Sequence, residues 1–413
     1  MNRDVGSVWD ALQARSVSRR DFLKFCTSVG AALALPADKT PQIVQALEQK
    51  QRPPVIWLHG QECTGDDESF IRANNPSVTS VVMDVISLEY SEVLMADAGA
   101  QAEQHLTDAM KRYAGKYLVV QEGSVPTGPN AHYCTIGGRS AETILREVAK
   151  DCAAIICVGA CAAWGGWPAS RPNPTGAMGV SKIIKDKPVV NLTGCPHNGF
   201  NAVATIVHYL TFGALPATDA LGRPLFCHGV RIHDNCERRH HFDAGQFVEA
   251  WGDEGHRQGW CLYKMGCKGP EAYYNCPVLR WNDGTSWPVK AGHGCIACAS
   301  FDFWDQMTPF YGRLPNVPNI PVESTIDRLG VVLTGLTLAG VAAHGIGTVI
   351  WKHEKEKRKP EHPPEAMAGA EGEAPAGPGP EAAPSVTPGQ AGTPSASEPA
   401  TPPEDSSKSE KEA

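Results

Sequence analysis

Short apolar runs alternate with amphipathic stretches between residue 53 and about residue 200. Five runs rich in Val and Ile predict buried strands, namely Pro54–His59, Val78–Ile86, Tyr117–Glu122, Ala153–Gly159 and Pro188–Leu192. They are apolar almost throughout, which is typical of parallel strands covered on both faces. The stretches between them, such as Ala100–Tyr113 and Ala141–Lys150, predict helices. Residues 53–204 are therefore expected to form an α/β domain with a doubly wound parallel sheet.

The next segment, residues 205–321, has a different pattern. It is rich in Cys, His, Trp, Gly and Pro and shows little hydrophobic periodicity. Such a segment cannot be held together by a large apolar core alone. Bound metal is the expected source of its cohesion.

The N-terminus carries a basic and then apolar pattern. The run Ser18-Arg19-Arg20-Asp21-Phe22-Leu23-Lys24 precedes a short apolar stretch, Phe25–Ala34. Residues 1–37 are therefore predicted to be a twin-arginine export signal, with Ala34 and Ala37 as candidate cleavage points. This route carries folded proteins and is used when a cofactor is inserted before export. The alternative is an ordinary helix that begins with basic residues.

Near the C-terminus, Leu329–Trp351 contains no Asp, Glu, Lys or Arg. As a helix it would extend about 34 Å, which is enough to cross a bilayer core. Basic residues follow from Lys352 to Lys359, so that end is predicted to be cytoplasmic and the preceding chain to lie outside the membrane. The alternative is a buried core helix. Residues 360–413 consist mainly of Pro, Ala, Gly, Glu and Ser, and are expected to form a disordered cytoplasmic tail.

Composition excludes several functions. The net charge is −8, and no stretch combines Lys and Arg with aromatic residues, so nucleic acid is not an expected partner. The 14 cysteines are too sparse for a disulfide scaffold and are spaced more like metal ligands. No Ser/His/Asp pattern, phosphate-binding loop or HExxH motif stands out, so no catalytic residue is predicted in this chain.

Three predicted strands run into a cysteine. Pro54–His59 is followed by Cys63, Ala153–Gly159 by Cys161, and Pro188–Leu192 by Cys195. Because the carboxyl ends of parallel strands lie on one rim of the sheet, these cysteines can converge on one metal site. The alternative is that they are small apolar residues in turns.

The Cys-rich segment offers seven further ligands. In chain order they are His233, Cys236, Cys261, Cys267, Cys276, Cys295 and Cys298. Seven ligands do not make two closed four-ligand zinc sites, but they do make one four-ligand cubane and one three-ligand iron–sulfur cluster. A zinc ion with a bound water is the second possibility.

These residues lie in motifs that resemble the small, electron-transferring subunit of nickel–iron uptake hydrogenases, over about residues 53–310. The matching motifs are Glu62-Cys63-Thr64-Gly65, Gly159-Ala160-Cys161-Ala162-Ala163-Trp164-Gly165-Gly166, Asn173-Pro174-Thr175-Gly176, Gly194-Cys195-Pro196, His233-Asp234-Asn235-Cys236, Trp287-Pro288-Val289 and Gly292-His293-Gly294-Cys295-Ile296-Ala297-Cys298. The resemblance implies a flavodoxin-like α/β domain, an irregular iron–sulfur domain and one C-terminal transmembrane helix.

The resemblance also implies three clusters. A proximal 4Fe–4S cluster would use Cys63, Cys161, Cys195 and the residue at position 66. A distal 4Fe–4S cluster would use His233, Cys236, Cys261 and Cys267, and a medial 3Fe–4S cluster would use Cys276, Cys295 and Cys298.

Position 66 departs from the usual family pattern. The common sequence is Cys-Thr-Gly-Cys, whereas this chain has Cys63-Thr64-Gly65-Asp66. This resembles actinobacterial-type hydrogenases, in which three Cys and one Asp bind the proximal cluster, so Asp66 is the predicted fourth ligand. The alternative is a solvated Asp66, with Asp67 or water completing the site. Oxygen-tolerant relatives carry two extra cysteines, and those positions are Gly65 and Gly166 here.

The family implies partners. The chain lacks the paired Cys-x2-Cys motifs, one near each end of the sequence, that hold nickel and iron in the large subunit. Hydrogen should therefore be split by a large subunit, in a heterodimer or a higher oligomer. Electrons would leave through a membrane cytochrome b or quinone pathway. Two rival interpretations are an iron–sulfur subunit related to quinone reductases and a zinc-stabilised exported binding protein.

The remaining candidate ligands are not assigned to clusters. Cys26, Cys134, Cys152, Cys157 and Cys227 are interpreted as non-ligands, and Cys152 and Cys157 as core residues. His344 lies within the predicted membrane span. It is either close to a haem or quinone site or a neutral side chain that faces a neighbouring helix or the inner interface.

Overall fold

A computed structural model describes residues 6–14, 16–72, 85–282, 284–313 and 326–358. The predicted tail at 360–413, part of the predicted strand at 78–86 and the first five residues lie outside this described part. The strands are β1 (Pro54–His59), β2 (Ser87–Ser91), β3 (Leu118–Glu122), β4 (Val125–Pro126), β5 (Thr135–Ile136), β6 (Arg139–Ser140), β7 (Ala154–Val158), β8 (Ala177–Met178) and β9 (Val189–Leu192).

The helices are mostly short outside the α/β region. They are α1 (Val8–Ala14), α2 (Arg19–Ala32), α3 (Thr40–Gln49), α4 (Gly65–Ile71), α5 (Ala100–Arg112), α6 (Ala141–Ala149), α7 (Gly159–Trp164), α8 (Val180–Ile183), α9 (Gly199–Phe212), α10 (Leu225–His228), α11 (Arg239–Asp243), α12 (Glu254–Arg257), α13 (Cys276–Leu279), α14 (Phe303–Gln306) and α15 (Ile326–Lys357).

Five strands form one parallel sheet in the order β2-β1-β3-β7-β9. β1 pairs with β3 from Val55↔Leu118 to His59↔Glu122, and β7 pairs with β9 from Ile155↔Val189 to Val158↔Leu192. This is the strand order of flavodoxin-like folds, in which the order reverses beside β1. The predicted α/β fold class is confirmed.

The second strand differs from the sequence prediction. The strand forms at Ser87–Ser91, after the apolar run that was predicted to form it, and Ser87 pairs with Pro54. Val85 and Ile86 precede the strand and are buried in the core. β2 is the edge of the sheet and is more polar than the inner strands. The prediction relied on a continuous apolar run and therefore assigned the strand to residues that precede Ser87.

Both faces of the sheet are covered, as a doubly wound sheet requires. On β1, Val55 and Trp57 point into one hydrophobic cluster, whereas Ile56 and Leu58 point into the other. This alternation follows the two-residue period of a strand. Helices α5 and α6 contribute to the second cluster, and α9 contributes to the first.

The predicted signal segment forms helix α2, which packs on the body of the protein. Ser18 caps the helix and accepts a hydrogen bond from the backbone N–H of Asp21. Phe22, Phe25 and Val29 are fully buried in the first cluster. The guanidinium of Arg19 lies 5.1 Å from the Trp9 ring. The export role of this segment stays a prediction.

Helix α2 gives a stability prediction for the unprocessed chain. Phe25→Ala should lower the free energy of unfolding by about 3–5 kcal/mol, because a buried ring is lost and a cavity remains. Leu23→Ala is the matched control, since Leu23 is 41 % exposed on the same helix. Thermal unfolding followed by circular dichroism measures both, and equal midpoints for the two variants would contradict the packing of α2.

The Cys-rich segment has little regular structure, as its sequence indicates. Its helices α10–α14 have four or five residues each. Buried side chains such as Val248, Leu262 and Trp287 join the same hydrophobic cluster as α9 of the α/β region. The boundary predicted at residues 204–205 therefore does not separate the buried residues into two cores.

Helix α15 contains the apolar C-terminal run. Within the described residues, Gly330–Lys357 is the one helix that is long and apolar enough to cross a membrane, judged by length and composition. Its apolar side chains are exposed, for example Leu336 at 65 % and Val349 at 67 %. A helix that exposes such residues all round is suited to a lipid environment rather than to water.

Candidate functional site

The carboxyl ends of β1, β7 and β9 bring three cysteines to one rim of the sheet. Cys63 lies in the loop between β1 and α4, Cys161 lies in α7 directly after β7, and Cys195 follows β9. The loops after β7 and β9 are joined, because the backbone N–H of Ala160 donates to the carbonyl of Gly194 at 2.7 Å. The sequence-based expectation that these cysteines share a rim agrees with this arrangement.

Asp66 lies on the same rim and is held by His197. The backbone N–H of His197 donates to Oδ1 of Asp66 at 2.6 Å, and the His197 ring nitrogen Nδ1 lies 2.7 Å from the same oxygen. Both residues are buried. No hydrogen bond to Oδ2 of Asp66 is found among the described residues, so that oxygen remains able to bind another group.

Asp67 points elsewhere. Its Oδ2 lies 2.9 Å from Nε2 of His59, and His59 in turn contacts Glu92 through Nδ1 at 2.6 Å. Glu122 accepts hydrogen bonds from the backbone N–H groups of Asp66 and Asp67. Asp66 is therefore the carboxylate closer to the cysteines, since its charge acts on Cys161 and Cys195. Asp67 belongs to a second set of polar residues with His59 and Glu92.

Two glycines leave room around these ligands. A Cβ atom on Gly166 would lie 2.3 Å from Sγ of Cys161, and one on Gly159 would lie 2.0 Å from Oδ2 of Asp66. Both glycines also have positive φ angles, which residues with side chains rarely adopt. Glycine at these positions therefore keeps the sulfur and the carboxylate oxygen free of steric contact.

Burial controls the protonation of this group. It raises the pKa of Cys161 to about 12, and the nearby Asp66 carboxylate adds to the rise. It raises the pKa of Cys195 to about 12 as well, with contributions from Cys298 and Cys161. Thiolates at these positions therefore need a positively charged partner, which metal ions provide.

The acidic and histidine side chains around Asp67 also have shifted pKa values. Burial raises the pKa of Glu122 to about 9, and the charges of Asp66 and Asp67 act in the same direction. Burial opposes protonation of His59, but its hydrogen bonds to Asp67 and Glu92 outweigh this and raise its pKa to about 10.

A second predicted set of ligands lines one small cavity in the Cys-rich segment. His233, Cys236, Cys261 and Cys267 all contribute to its wall. Burial lowers the pKa of His233 to about 4, so its imidazole is neutral at pH 7. A neutral imidazole is the form that binds metals.

The third set lines a larger cavity of about 330 Å³. Cys276, Cys295 and Cys298 lie on its wall together with Cys195 of the first set. Burial raises the pKa of the Cys298 thiol, and the neighbouring backbone of Cys195 acts in the opposite direction. The first and third sets are therefore direct neighbours.

The third set also contacts the second. The backbone N–H of Cys295 donates to Sγ of Cys267 at 3.3 Å. The three sets therefore occur in a series, with the Cys276, Cys295 and Cys298 set in the middle.

The donor atoms fit iron–sulfur chemistry. Nine cysteine sulfurs and one imidazole supply soft and borderline ligands, which are the ligands of iron–sulfur clusters and of zinc. Eight of the nine thiols are buried or partly buried, and the space that Gly166 leaves beside Cys161 suits a group that carries positive metal ions.

The other five cysteines lie outside these sets. Cys26, Cys152 and Cys227 are buried, and Cys157 is fully buried on β7. Cys152 and Cys157 belong to the apolar core, as predicted. Sγ of Cys227 lies 3.0 Å from Nδ1 of His228, and Cys134 is partly exposed.

Three residues of the site were not predicted from the sequence. His59 and Glu122 end β1 and β3, so the same strand-end rule that selected the cysteines could have found them. His197 gives no such signal. It lies two residues after Cys195, and only the fold brings it against Asp66.

Two family descriptions match the chain in adjoining parts. Residues 63–209 match the NADH ubiquinone oxidoreductase 20 kDa subunit, and residues 228–311 match the C-terminal part of NiFe/NiFeSe hydrogenase small subunits. The first match covers the α/β region and agrees with a fold shared with quinone reductases. The second match covers the Cys-rich segment and distinguishes the chain from that rival class.

Relatives extend the match over most of the chain. The uptake hydrogenase small subunit of Azotobacter vinelandii is 47 % identical over 352 residues, which cover 85 % of this chain and 98 % of the relative. The quinone-reactive Ni/Fe-hydrogenase small chain of Wolinella succinogenes is 45 % identical over 352 residues, which cover 83 % of this chain and 99 % of the relative.

Solved structures agree with these relatives. The NiFeSe hydrogenase of Desulfomicrobium baculatum matches with a TM-score of 0.60 and 33 % identity, over 64 % of this chain and all of that chain. The actinobacterial-type NiFe-hydrogenase of Ralstonia eutropha H16 has a TM-score of 0.60 at 24 % identity, over 74 % of this chain and 95 % of that chain, and supports the fold alone. The chain therefore belongs to the small subunits of nickel–iron hydrogenases, which carry iron–sulfur clusters and pair with a large subunit.

Proposed function

We propose that this subunit carries electrons from hydrogen oxidation in the large subunit through three iron–sulfur clusters to an acceptor in the membrane. The observation that carries the proposal is the series of ligand sets. Cys195 shares a cavity wall with the middle set, and Cys295 of the middle set donates a hydrogen bond to Cys267 of the last set. Bound clusters would supply reversible one-electron redox chemistry.

We assign the ligands as three groups. The proximal 4Fe–4S cluster takes Cys63, Cys161, Cys195 and Asp66. The distal 4Fe–4S cluster takes His233, Cys236, Cys261 and Cys267. The medial 3Fe–4S cluster takes Cys276, Cys295 and Cys298. Their shared cavities and contacts support this division.

The side chains of this chain set the environment of the clusters. Buried apolar residues such as Tyr274 and Trp287 line the middle cavity and exclude water from it. His197 orients the Asp66 carboxylate, and the backbone N–H of Ala297 donates to Sγ of Cys295 at 3.3 Å. Hydrogen bonds to ligands and burial are the means by which proteins tune cluster potentials.

The polarity of the chain ends supports an exported, membrane-anchored subunit. The twin-arginine run Arg19-Arg20 suits export after cofactor insertion, and helix α15 suits a single span. Lys352, Lys355 and Lys357 follow the apolar run Leu329–Trp351, and by the positive-inside rule they favour a cytoplasmic C-terminus. The body of the protein then lies on the outer, or periplasmic, face of the cytoplasmic membrane.

The acceptor is proposed to be a quinone pool, reached directly or through a cytochrome b. The quinone-reactive relative supports this choice. His344 lies in helix α15, where it either approaches such an acceptor or faces a neighbouring helix.

Metal analysis of the complex with its large subunit tests the proposal. The small subunit should contribute about eleven iron atoms with matching acid-labile sulfide. Hydrogen should reduce a dye acceptor in the same preparation. Two or three zinc ions without labile sulfide would instead support the zinc-stabilised alternative.

Asp66→Cys tests the carboxylate ligand. A thiolate is softer and more covalent than a carboxylate, so the spectrum and midpoint potential of the proximal cluster alone should change. Redox titration followed by electron paramagnetic resonance measures this change. Glu68→Cys is the matched control, because Glu68 is 52 % exposed on the same helix α4. An unaltered proximal signal in Asp66→Cys would refute ligation by Asp66.

A further inference from the structure

A second set of possible metal ligands lies next to Asp66, at the ends of β1 and β3 and in helix α4. His59, Asp67 and Glu122 each offer one ligand atom, and these three atoms lie within 4.8 Å of one another. All three residues are buried, with exposures of 6 %, 2 % and 0 %. None of them belongs to the three cluster sets.

We propose that His59, Asp67 and Glu122 bind one divalent first-row metal ion. The donor set is one imidazole nitrogen and two carboxylate oxygens, which suits ions such as Zn²⁺, Fe²⁺ and Mn²⁺. Ligand atoms around such an ion are separated by about 3.4 Å, because metal–ligand distances are about 2.0–2.2 Å. Small side-chain shifts would bring the three atoms to that spacing.

The surroundings of His59 resemble those of a metal ligand. Its Nδ1 lies 2.6 Å from Oε2 of Glu92, and its Nε2 lies 2.9 Å from Oδ2 of Asp67. Glu122 offers its ligand atom within 4.8 Å of those of His59 and Asp67. Metal-binding histidines commonly donate the second ring N–H to a carboxylate, which fixes the ring and leaves the other nitrogen for the metal. His59 would therefore bind through Nε2 as a neutral ring that keeps its proton on Nδ1.

The carboxylates of Asp67 and Glu122 give a second, independent indication of a cation site. Oδ1 of Asp67 is buried, and no hydrogen-bond partner for it is found among the described residues. A buried acceptor without a partner is costly, and a cation would satisfy it. Glu122 is held in place by the backbone N–H groups of Asp66 and Asp67, so its carboxylate is fixed before any ion binds.

Local charge also favours a cation. Asp67, Glu92 and Glu122 surround His59, and Glu62 and Asp66 stand close to the same group. A divalent ion would displace the Nε2 proton of His59 and any proton on Glu122, and its charge would be balanced by the Asp67 and Glu122 carboxylates. This role is separate from electron transfer, since a zinc ion would carry no electrons.

Zinc binding by the purified complex tests the proposal. The complex is treated with a chelator, equilibrated with Zn²⁺, desalted and analysed for zinc, iron and sulfide. The wild-type complex should retain one more zinc ion per small subunit than Asp67→Asn, whose affinity should fall at least about tenfold. Glu68→Gln, an exposed change on the same helix, should bind zinc like the wild type.

The metal analysis distinguishes a failure of the zinc site from a failure of the proposed clusters. Iron and sulfide report on the clusters, whereas zinc reports on the His59, Asp67 and Glu122 site. If Asp67→Asn fails to assemble, His59→Gln provides a second variant with the same expected loss of zinc. Equal zinc in the wild type and the variants, or no retained zinc in the wild type, would overturn the proposal.

Discussion

Cys295→Ala is expected to reduce hydrogen-driven electron transfer to the membrane acceptor by about 100-fold or more. Cys295 occupies the centre of the ligand series, since it lines the cavity with Cys276 and Cys298 and donates its backbone N–H to Cys267. Loss of its sulfur leaves the proposed medial cluster with two protein ligands. We expect iron to fall from about eleven to about eight atoms per small subunit, because a three-iron cluster would be lost.

Cys227→Ala is the control for this variant. Cys227 is equally buried in the same part of the protein, but it lies against His228 rather than on the cavity wall. It should keep full iron content and full acceptor reduction. Hydrogen-dependent quinone reduction in membranes and electron paramagnetic resonance of the isolated complex measure both variants. A full iron complement with an unchanged spectrum in Cys295→Ala would contradict its assignment as a ligand.

Removal of helix α15 should release the complex from membranes almost completely. Ending the chain after Pro321 deletes helix α15 with its apolar run Leu329–Trp351, whose large apolar side chains are exposed. The ligand sets lie before residue 299, so dye-linked hydrogen oxidation should persist. Membrane-linked quinone reduction should be lost, because the soluble complex no longer meets its acceptor.

A shorter deletion controls for the tail. Ending the chain after Arg358 removes the segment rich in Pro, Ala and Glu and keeps the whole helix together with its basic end. This variant should stay in the membrane fraction. Membrane flotation followed by a dye-reduction assay distinguishes the two truncations. Membrane retention of the Pro321 truncation would show that the anchor lies in another part of the complex.

The sequence predicted the inner part of the fold well. β1, β3, β7 and β9 are continuous apolar runs between turns, and their predicted ends differ from the structure by at most one residue. β2 was misplaced, because an edge strand is only half buried and lacks that pattern. Strand ends also located Cys63, Cys161 and Cys195, because parallel strands bring their carboxyl ends to a common rim.

Other parts of the site depended on contacts between distant segments. Sequence spacing could not show that Asp66 meets His197, which lies 131 residues later, or that Asp67 turns towards His59. It also could not show that α2 packs its apolar face on the body, because an export signal and an amphipathic core helix have similar patterns. The sequence pattern identifies candidate site residues, whereas the tertiary fold determines which of them lie next to one another.

The crowding at Gly166 limits how this enzyme could be redesigned to work in air. A side chain at that position would collide with the sulfur of Cys161 and would also have to adopt an unfavourable backbone conformation. A cysteine introduced there to protect the site would thus require a rebuilt loop rather than a single substitution.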